Sequence, residues 1–192
     1  MNRATTPDVL LELSTSELLH LFMTLEAPEL TEMEGEYAAR LLAQPGRHAA
    51  LTGYLTVSSP LQSWLCKAFR PVDTTSGRGY NTFRQGGRIV QRYPMQTLIA
   101  PSRYDGRPAF QLVYRAFHSF CGTINMVDEV RRVVPGIYLG IGTYGFTRAQ
   151  RWIPYPFLLE GPQADYRGDT GRPRTGFKPT TREMPAFNTR TQ

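Results

Sequence analysis

The feature that most constrains this chain is a succession of strand-like runs between residues 80 and 159. Apolar residues alternate with polar ones in these runs, and turn sequences at 85–87, 104–106 and 135–136 separate them. Connections this short favour antiparallel neighbours, because a parallel pair needs a long crossover. The pattern therefore predicts an antiparallel meander with strands near 80–84, 87–93, 95–101, 109–118, 122–134, 137–146 and 153–159.

One more strand is predicted over 33–42, where Tyr37 and Leu41 share one face and Glu36 and Arg40 share the other. The total is then about eight strands, enough to close a barrel that holds one small ligand. The predicted fold class is mainly β: an antiparallel β-barrel of about eight strands with N-terminal helices and an extended C-terminal tail.

Two helices are predicted before the meander. Ser14 and Glu17 have the spacing of a capping box, which predicts a helix over 15–25. Ser59 and Pro60 have the character of an N-cap and a first helical residue, which predicts a second helix ending near Phe69. We expect this second helix to plug one end of the barrel and residues 70–79 to form a loop.

The 192 residues fit one domain, with the helices and barrel in residues 1–160 and an irregular tail in 161–192. The tail is rich in Gly, Pro, Thr and Arg. Tyr166, Phe177 and Phe187 are its apolar anchors, and we expect them to pack on the same barrel or on a neighbouring subunit. The second arrangement would make the protein a homo-oligomer.

The net charge of +6 raises the question of nucleic acid as a partner. Much of the excess alternates along the strands between 84 and 92, which a solvated sheet face explains, and no nucleic-acid motif accompanies it. No apolar run is long enough to span a membrane, and no secretory leader is recognisable at the N-terminus. Cys66 and Cys121 form no CxxC pair. We therefore expect a cytoplasmic protein that binds neither nucleic acid nor membranes.

Gly35-Glu36-Tyr37, which follows a short helix, resembles the GxW strand start of lipocalin-type (calycin) proteins, with Tyr37 in place of the Trp. Residues 128–132 and 135–142 look like the late hairpin of small bacterial lipocalin-like proteins. The resemblance covers roughly residues 15–160. It implies a barrel with an apolar cavity, a fold used by carriers and, less often, by cofactor-free lyases or isomerases.

Strand alternation places Tyr114, His118 and Asp128 on the apolar faces that we expect to point into the barrel. A charged carboxylate loses solvation there unless a cation or hydrogen-bond donors compensate. Such a carboxyl group can protonate an ether or epoxide oxygen, or remove a proton, without a cofactor. The alternative is that Asp128 lies near the strand end, faces water and pairs with Arg131 or Arg132.

Alternatives also apply to the neighbouring polar residues. His118 is an acid–base partner or a structural histidine, and Tyr114 is a hydroxyl donor to a ligand or a core aromatic residue. Glu129 and Arg131 share the opposite face, where an exposed cross-strand pair is expected. Lys67 lies on the second predicted helix, where it reaches the cavity or, as we expect, is solvated. The residues predicted to line the ligand site are Phe110, Leu112, Ile124, Met126, Tyr138, Tyr144 and Trp64.

Three dispersed histidines provide no zinc-binding spacing, and neither GxSxG nor a phosphate-binding loop is present, so no metal and no cofactor are expected. The leading functional hypothesis is a cofactor-independent lyase or isomerase that acts on a small hydrophobic metabolite, terpenoid- or polyketide-like, for example an epoxide. One alternative is a non-catalytic carrier of a small apolar ligand. Another is a basic docking surface for an acidic partner.

Overall fold

The computed structural model describes residues 6–46, 58–59 and 62–187. Helices α1, α2 and α3 span Pro7–Glu12, Thr15–Thr24 and Phe120–Thr123. Three 3-10 helices span Leu30–Glu32, Tyr114–Ala116 and Gln150–Trp152. The strands are β1 (Gly35–Leu41), β2 (Ser58–Ser59), β3 (Gln62–Pro71), β4 (Ser76–Gln85), β5 (Arg88–Pro101), β6 (Pro108–Val113), β7 (Val127–Val134), β8 (Ile137–Thr143) and β9 (Tyr155–Ala164).

Strands β1 and β3 to β9 form a closed antiparallel barrel of eight strands. Each of these strands pairs with its neighbours in the chain, and β1 closes the ring by pairing with both β9 and β3. The short strand β2 pairs only with the start of β3. The predicted mainly β barrel with N-terminal helices is therefore confirmed.

The inner face of the barrel is filled by aromatic and aliphatic side chains that pack as one cluster. Tyr37 contacts Phe69 and Tyr138 at ring-centroid distances of 5.7 and 5.6 Å, and Phe69 contacts Phe110 edge-on at 5.3 Å. Leu30 and Met33 join this cluster from the end where β1 begins. These contacts bury large apolar areas, which is the main stabilising contribution to such a core.

Helices α1 and α2 pack on the outer wall of the barrel. The capping box of α2 is present, since Glu17 and Ser14 each accept a hydrogen bond from the backbone N–H of the other. Phe22 and Leu18 are buried with Leu139 and Leu158, which point outward from β8 and β9. The predicted helix over 15–25 is confirmed. Among the described residues, no helix is long and apolar enough to cross a membrane.

The C-terminal tail also packs on the outside of its own barrel. This is one of the two arrangements that the sequence predicts. Tyr166 lies on Tyr80 with ring centroids 4.9 Å apart, and Phe177 and Phe187 pack around the buried Met184. Strand β9 continues to Ala164, beyond the predicted start of the tail. Association into a homo-oligomer through the tail remains a prediction.

The predicted second helix is wrong, because residues 62–71 form strand β3. The pairing of β3 with β4 shifts by one residue between Trp64 and Cys66, so Leu65 is a bulged residue. The bulge brings Trp64 and Lys67 to the same inner face, three residues apart. This spacing imitates a helical stripe. Residues 60 and 61, where the helix was predicted to begin, lie outside the described residues.

Several strand boundaries also differ from the prediction. The runs at 87–93 and 95–101 form one strand, β5, and the predicted loop at 70–79 is mostly strand. The run at 109–118 ends as a strand at Val113, where a 3-10 helix begins. The run at 122–134 opens with the end of helix α3. The strand alternation that begins at residue 109 therefore stops at Val113 and does not predict which way the side chains of residues 114–126 point.

Candidate functional site

Lys67 is buried on the inner face, with only 3% of its side chain exposed, and its ammonium group has three polar partners. The Nζ atom lies 2.8 Å from Asp128 Oδ2, and it donates hydrogen bonds to Asn81 Oδ1 at 3.0 Å and to the Tyr114 hydroxyl at 2.5 Å. An ammonium group has three N–H donors. All three are therefore used within the barrel.

Tyr114 and Asn81 complete the set, which we call the inner network: Lys67, Asn81, Tyr114 and Asp128. The Tyr114 hydroxyl donates to Asp128 Oδ2 at 2.9 Å and accepts a hydrogen bond from Asn81 Nδ2 at 3.2 Å. Asn81 Nδ2 also donates to the Tyr93 carbonyl at 3.3 Å. Each hydrogen bond fixes the orientation of the next side chain, so the inner network is rigidly preorganised.

Aromatic rings surround the ammonium group of Lys67. Its Nζ lies 5.0 Å from the centroid of Trp64, 5.2 Å from that of Tyr114 and 5.1 Å from that of Phe157. Trp64 Nε1 donates to Asn81 Oδ1 at 3.1 Å. Rings at this distance attract a cation through their quadrupole, which offsets part of the cost of removing the charge from water.

Asp128 is anchored through only one of its two carboxylate oxygens. Among the described residues, the inner network uses Oδ2 twice, while Oδ1 accepts no hydrogen bond. Gly142 on the neighbouring strand β8 lies opposite Asp128. A Cβ atom at Gly142 would stand 3.0 Å from Oδ1, so a side chain at this position would crowd that oxygen.

Burial changes the ionisation of two groups around Asp128. Burial, followed by the charge of Asp128, raises the pKa of Tyr114 well above its ordinary value, so its hydroxyl stays protonated and donates. Burial raises the pKa of the Cys121 thiol to about 12. Cys121 is therefore a neutral member of the core and not a nucleophile.

The inner network lies toward the end of the barrel where β1 terminates and β3 starts. Trp64, Tyr93 and Met126 pack against the inner core there but remain only partly buried. Tyr144 and Tyr155 stack at the same end with centroids 4.6 Å apart. We call these five side chains the aromatic rim. Two depressions in the surface lie elsewhere, one beside helix α2 and one on the outer wall at Cys66.

The structure brings together two of the three predicted catalytic residues, Asp128 and Tyr114. The prediction that His118 faces the barrel interior is wrong, because it is exposed and donates its backbone N–H to the Arg172 carbonyl. The strand had already ended at Val113, and the 3-10 helix after it breaks the alternation. The alternative that Asp128 faces water beside Arg131 or Arg132 is also wrong.

Most of the predicted lining residues do lie at the inner face. Phe110, Leu112 and Tyr138 belong to the inner core, and Trp64 and Met126 pack against it. Tyr144 belongs to the aromatic rim. Ile124 is half-buried where helix α3 ends and is not part of the inner cluster.

Lys67 and Asn81 are the members of the inner network that sequence reasoning missed. The pattern of residues 59–69 predicts a helix with Lys67 on its solvated side, and Asn81 carries no motif. A signal for Lys67 was nonetheless present, since Lys67, Phe69 and Pro71 alternate as one strand face. Among the described residues, no group of His, Cys, Asp and Glu is arranged to hold a metal ion.

No family model matches the chain, and no curated protein matches it. A crystal structure of a protein from Thermomonospora curvata aligns with it at a TM-score of 0.48 and 14% sequence identity. The alignment covers 77% of this chain and 87% of that chain. The closed eight-stranded antiparallel barrel is the architecture that the lipocalin resemblance implied, and membership of that family remains a prediction.

Proposed function

We propose that the protein is a cofactor-independent lyase or isomerase that acts by acid–base chemistry on a small hydrophobic metabolite at the aromatic rim. The observation that supports this proposal is that the two carboxylate oxygens of Asp128 differ in their hydrogen bonds. Its Oδ2 atom is held by Lys67 and Tyr114, while Oδ1 is left without a hydrogen bond among the described residues. A carboxylate oriented in this way is suited to act as a general base.

In the proposed reaction, Asp128 Oδ1 removes a proton from the substrate. The electron pair of the broken bond forms a new double bond within the substrate. In an isomerase, the new double bond displaces the electron pair of an existing double bond to a different carbon, and the carboxyl group returns the proton there. In a lyase, a second substrate bond breaks, and the fragment that leaves with its electron pair receives the proton. Neither sequence needs an oxidant, a reductant or a co-reactant.

Lys67 and Asn81 act as positioning residues in this scheme. The ammonium group of Lys67 stabilises the negative charge of the carboxylate at 2.8 Å, in surroundings where that charge would otherwise be costly. Asn81 holds both Lys67 and Tyr114 in place. The inner network thereby keeps Asp128 in one orientation before the substrate arrives, which is the condition for efficient proton transfer.

Proton exchange on a simple enolisable ketone tests the proposal. We expect wild-type protein in D2O to accelerate deuterium incorporation at the α-carbons of 2-tetralone, an apolar bicyclic ketone, above the rate in buffer. Asp128→Asn removes the base and is expected to lower the protein-dependent rate by about 100-fold or more. Mass spectrometry of the recovered ketone measures the exchange.

The matched control is Asp165→Asn, the same change at an exposed position of the tail. We expect it to leave the exchange rate unchanged. Circular dichroism establishes that both variants are folded. If wild type and Asp128→Asn exchange the ketone at equal rates, Asp128 is not the base and the proposed chemistry is wrong.

The carrier alternative is supported by a different observation. The cation of the inner network needs no ligand, since every N–H of Lys67 already has an acceptor. A stable network beneath an apolar rim also suits a protein that only binds. Native mass spectrometry of freshly purified protein distinguishes the two: a stoichiometric small molecule that denaturation releases unchanged favours the carrier.

A further inference from the structure

The hydrogen-bond donors of the inner network are all committed to partners within the barrel. Lys67 uses its three donors on Asn81, Tyr114 and Asp128, and Tyr114 uses its single donor on Asp128. Asn81 uses its two amide donors on Tyr93 and Tyr114. A ligand oxygen that needs a hydrogen bond would therefore have to break one of these contacts.

The acceptor atoms of the inner network are also in use, with one exception. Asn81 Oδ1 accepts from Lys67 and Trp64, the Tyr114 hydroxyl accepts from Lys67 and Asn81, and Asp128 Oδ2 accepts from Lys67 and Tyr114. Asp128 Oδ1 is the acceptor left over among the described residues, beside the side-chain-free Gly142. The inner network therefore offers a ligand one acceptor oxygen, while its own donors are already in use.

From this imbalance we infer that the ligand of the aromatic rim is an apolar molecule bearing a hydroxyl group, whose O–H donates to Asp128 Oδ1. This inference rests on the proposed function and narrows it. The proton that Asp128 removes is then the hydroxyl proton, as in the conversion of an enol to its ketone or the cleavage of a β-hydroxy ketone. Epoxides and ethers, which offer only acceptor oxygens, fit the site less well.

Atoms and electrons balance in both reactions. In the enol, the O–H electron pair becomes the C=O bond, the C=C pair takes a proton at carbon, and that proton is the one Asp128 received. In the β-hydroxy ketone, the O–H pair becomes a C=O bond, the adjacent C–C bond breaks, and the carbon that leaves with its electrons receives the proton.

A pair of probes that differ only in the donor tests the inference. 2-Naphthol and 2-methoxynaphthalene share one ring system, and only the first carries an O–H. We expect calorimetric titration of the wild type to show about 10- to 100-fold tighter binding of 2-naphthol, the range for a hydrogen bond to a charged acceptor. Gly142→Ala places a methyl group against Oδ1 and is expected to reduce the difference to about 3-fold or less.

Met126→Leu is the matched control, because it exchanges one apolar side chain of the rim for another and should change both affinities alike. Equal binding of the two probes, or tighter binding of the ether, would overturn the hydroxyl assignment. Binding of neither probe would overturn it as well. The ratio of the 2-tetralone exchange rates of wild type and Asp128→Asn judges the proposed proton transfer separately, because the same ketone, which bears no hydroxyl group, is used in both measurements.

Discussion

Strand β7 presents charged side chains to both faces of the barrel wall, and the two faces use those charges differently. Asp128 points inward to the inner network, while Glu129 and Arg131 point outward. All three are buried, with exposures of 3%, 0% and 0%. The charged groups differ, however, in how many of their polar atoms have a hydrogen-bond partner.

Every oxygen of the outer carboxylates has a partner. Glu129 accepts from the backbone and side chain of Arg103 at Oε1 and from Ser102 at Oε2. Arg131 donates to both oxygens of Asp105. Arg131 also donates to the backbone carbonyls of Phe22, Arg107 and Pro108.

The outer pairs thus join the barrel wall to the segments that cover it, namely the 102–107 turn, helix α2 and the tail. The expectation that Glu129 and Arg131 form an exposed cross-strand pair is wrong, because these segments bury both residues. The comparison shows that a buried charge alone does not identify a functional site. The distinguishing feature is an acceptor oxygen with no hydrogen bond from the described part of the chain, which Asp128 has and the outer pairs do not.

The largest expected effects come from removing one charge on each face. Lys67→Met leaves Asp128 buried without a cation and should lower the free energy of unfolding by about 3–5 kcal/mol. Adding Asp128→Leu should restore most of that loss, because an apolar pair then replaces both charges. Urea denaturation of the single and double variants measures the recovery.

On the outer face, a second substitution should not restore the lost stability. Arg131→Met should cost about as much, roughly 3–5 kcal/mol. Adding Asp105→Leu leaves three backbone carbonyls without their donor, so most of the loss should remain. Equal recovery in the two double variants would contradict the distinction between the inner and outer faces.

Acid should weaken the outer face through Asp105. Burial raises the pKa of Asp105, but the hydrogen bonds from Arg131 and Arg107 and their charges outweigh burial, so the pKa lies below its ordinary value of 3.8. The stability this carboxylate contributes is therefore present above about pH 4 and lost as the pH falls through the folded-state value. Asp105→Asn should flatten the fall in Tm below about pH 4. An unchanged acid profile would show that other groups govern it.

The smallest effect is expected where the tail meets the open surface. Asp169 pairs with Arg70 at 2.8 Å and with Arg78 at 3.0 Å, and about a third of its side chain is exposed. Such pairs contribute little because water and salt screen them. Asp169→Asn should change the free energy of unfolding by less than about 1 kcal/mol. A loss above about 2 kcal/mol would place this contact with the buried outer pairs.

The sequence predicted the barrel, helix α2 and the inward position of Asp128, because local periodicity and capping chemistry determine these features. It failed where geometry departs from a regular period. The bulge at Leu65 put Trp64 and Lys67 on one face with helical spacing, and the 3-10 helix after Val113 turned His118 outward.

The pairing of Lys67 with Asp128 could not be predicted from local sequence patterns for a second reason. Lys67 and Asp128 lie on strands β3 and β7, which are not neighbours in the sheet. Only the closure and the diameter of the barrel bring their side chains within 2.8 Å. The burial of Glu129 depends in the same way on segments that are distant in sequence and cover the outer wall.

The distribution of the inner network over the chain has a consequence for folding order. Lys67 is synthesised 47 residues before Tyr114, and Asp128 comes later still. A nascent chain that has formed only β3 and β4 therefore carries a lysine that cannot be buried at low cost, since its counterion does not yet exist. Collapse of the early hairpins onto Lys67 is disfavoured until β7 arrives, so the charge that organises the finished site also delays closure of an incomplete barrel.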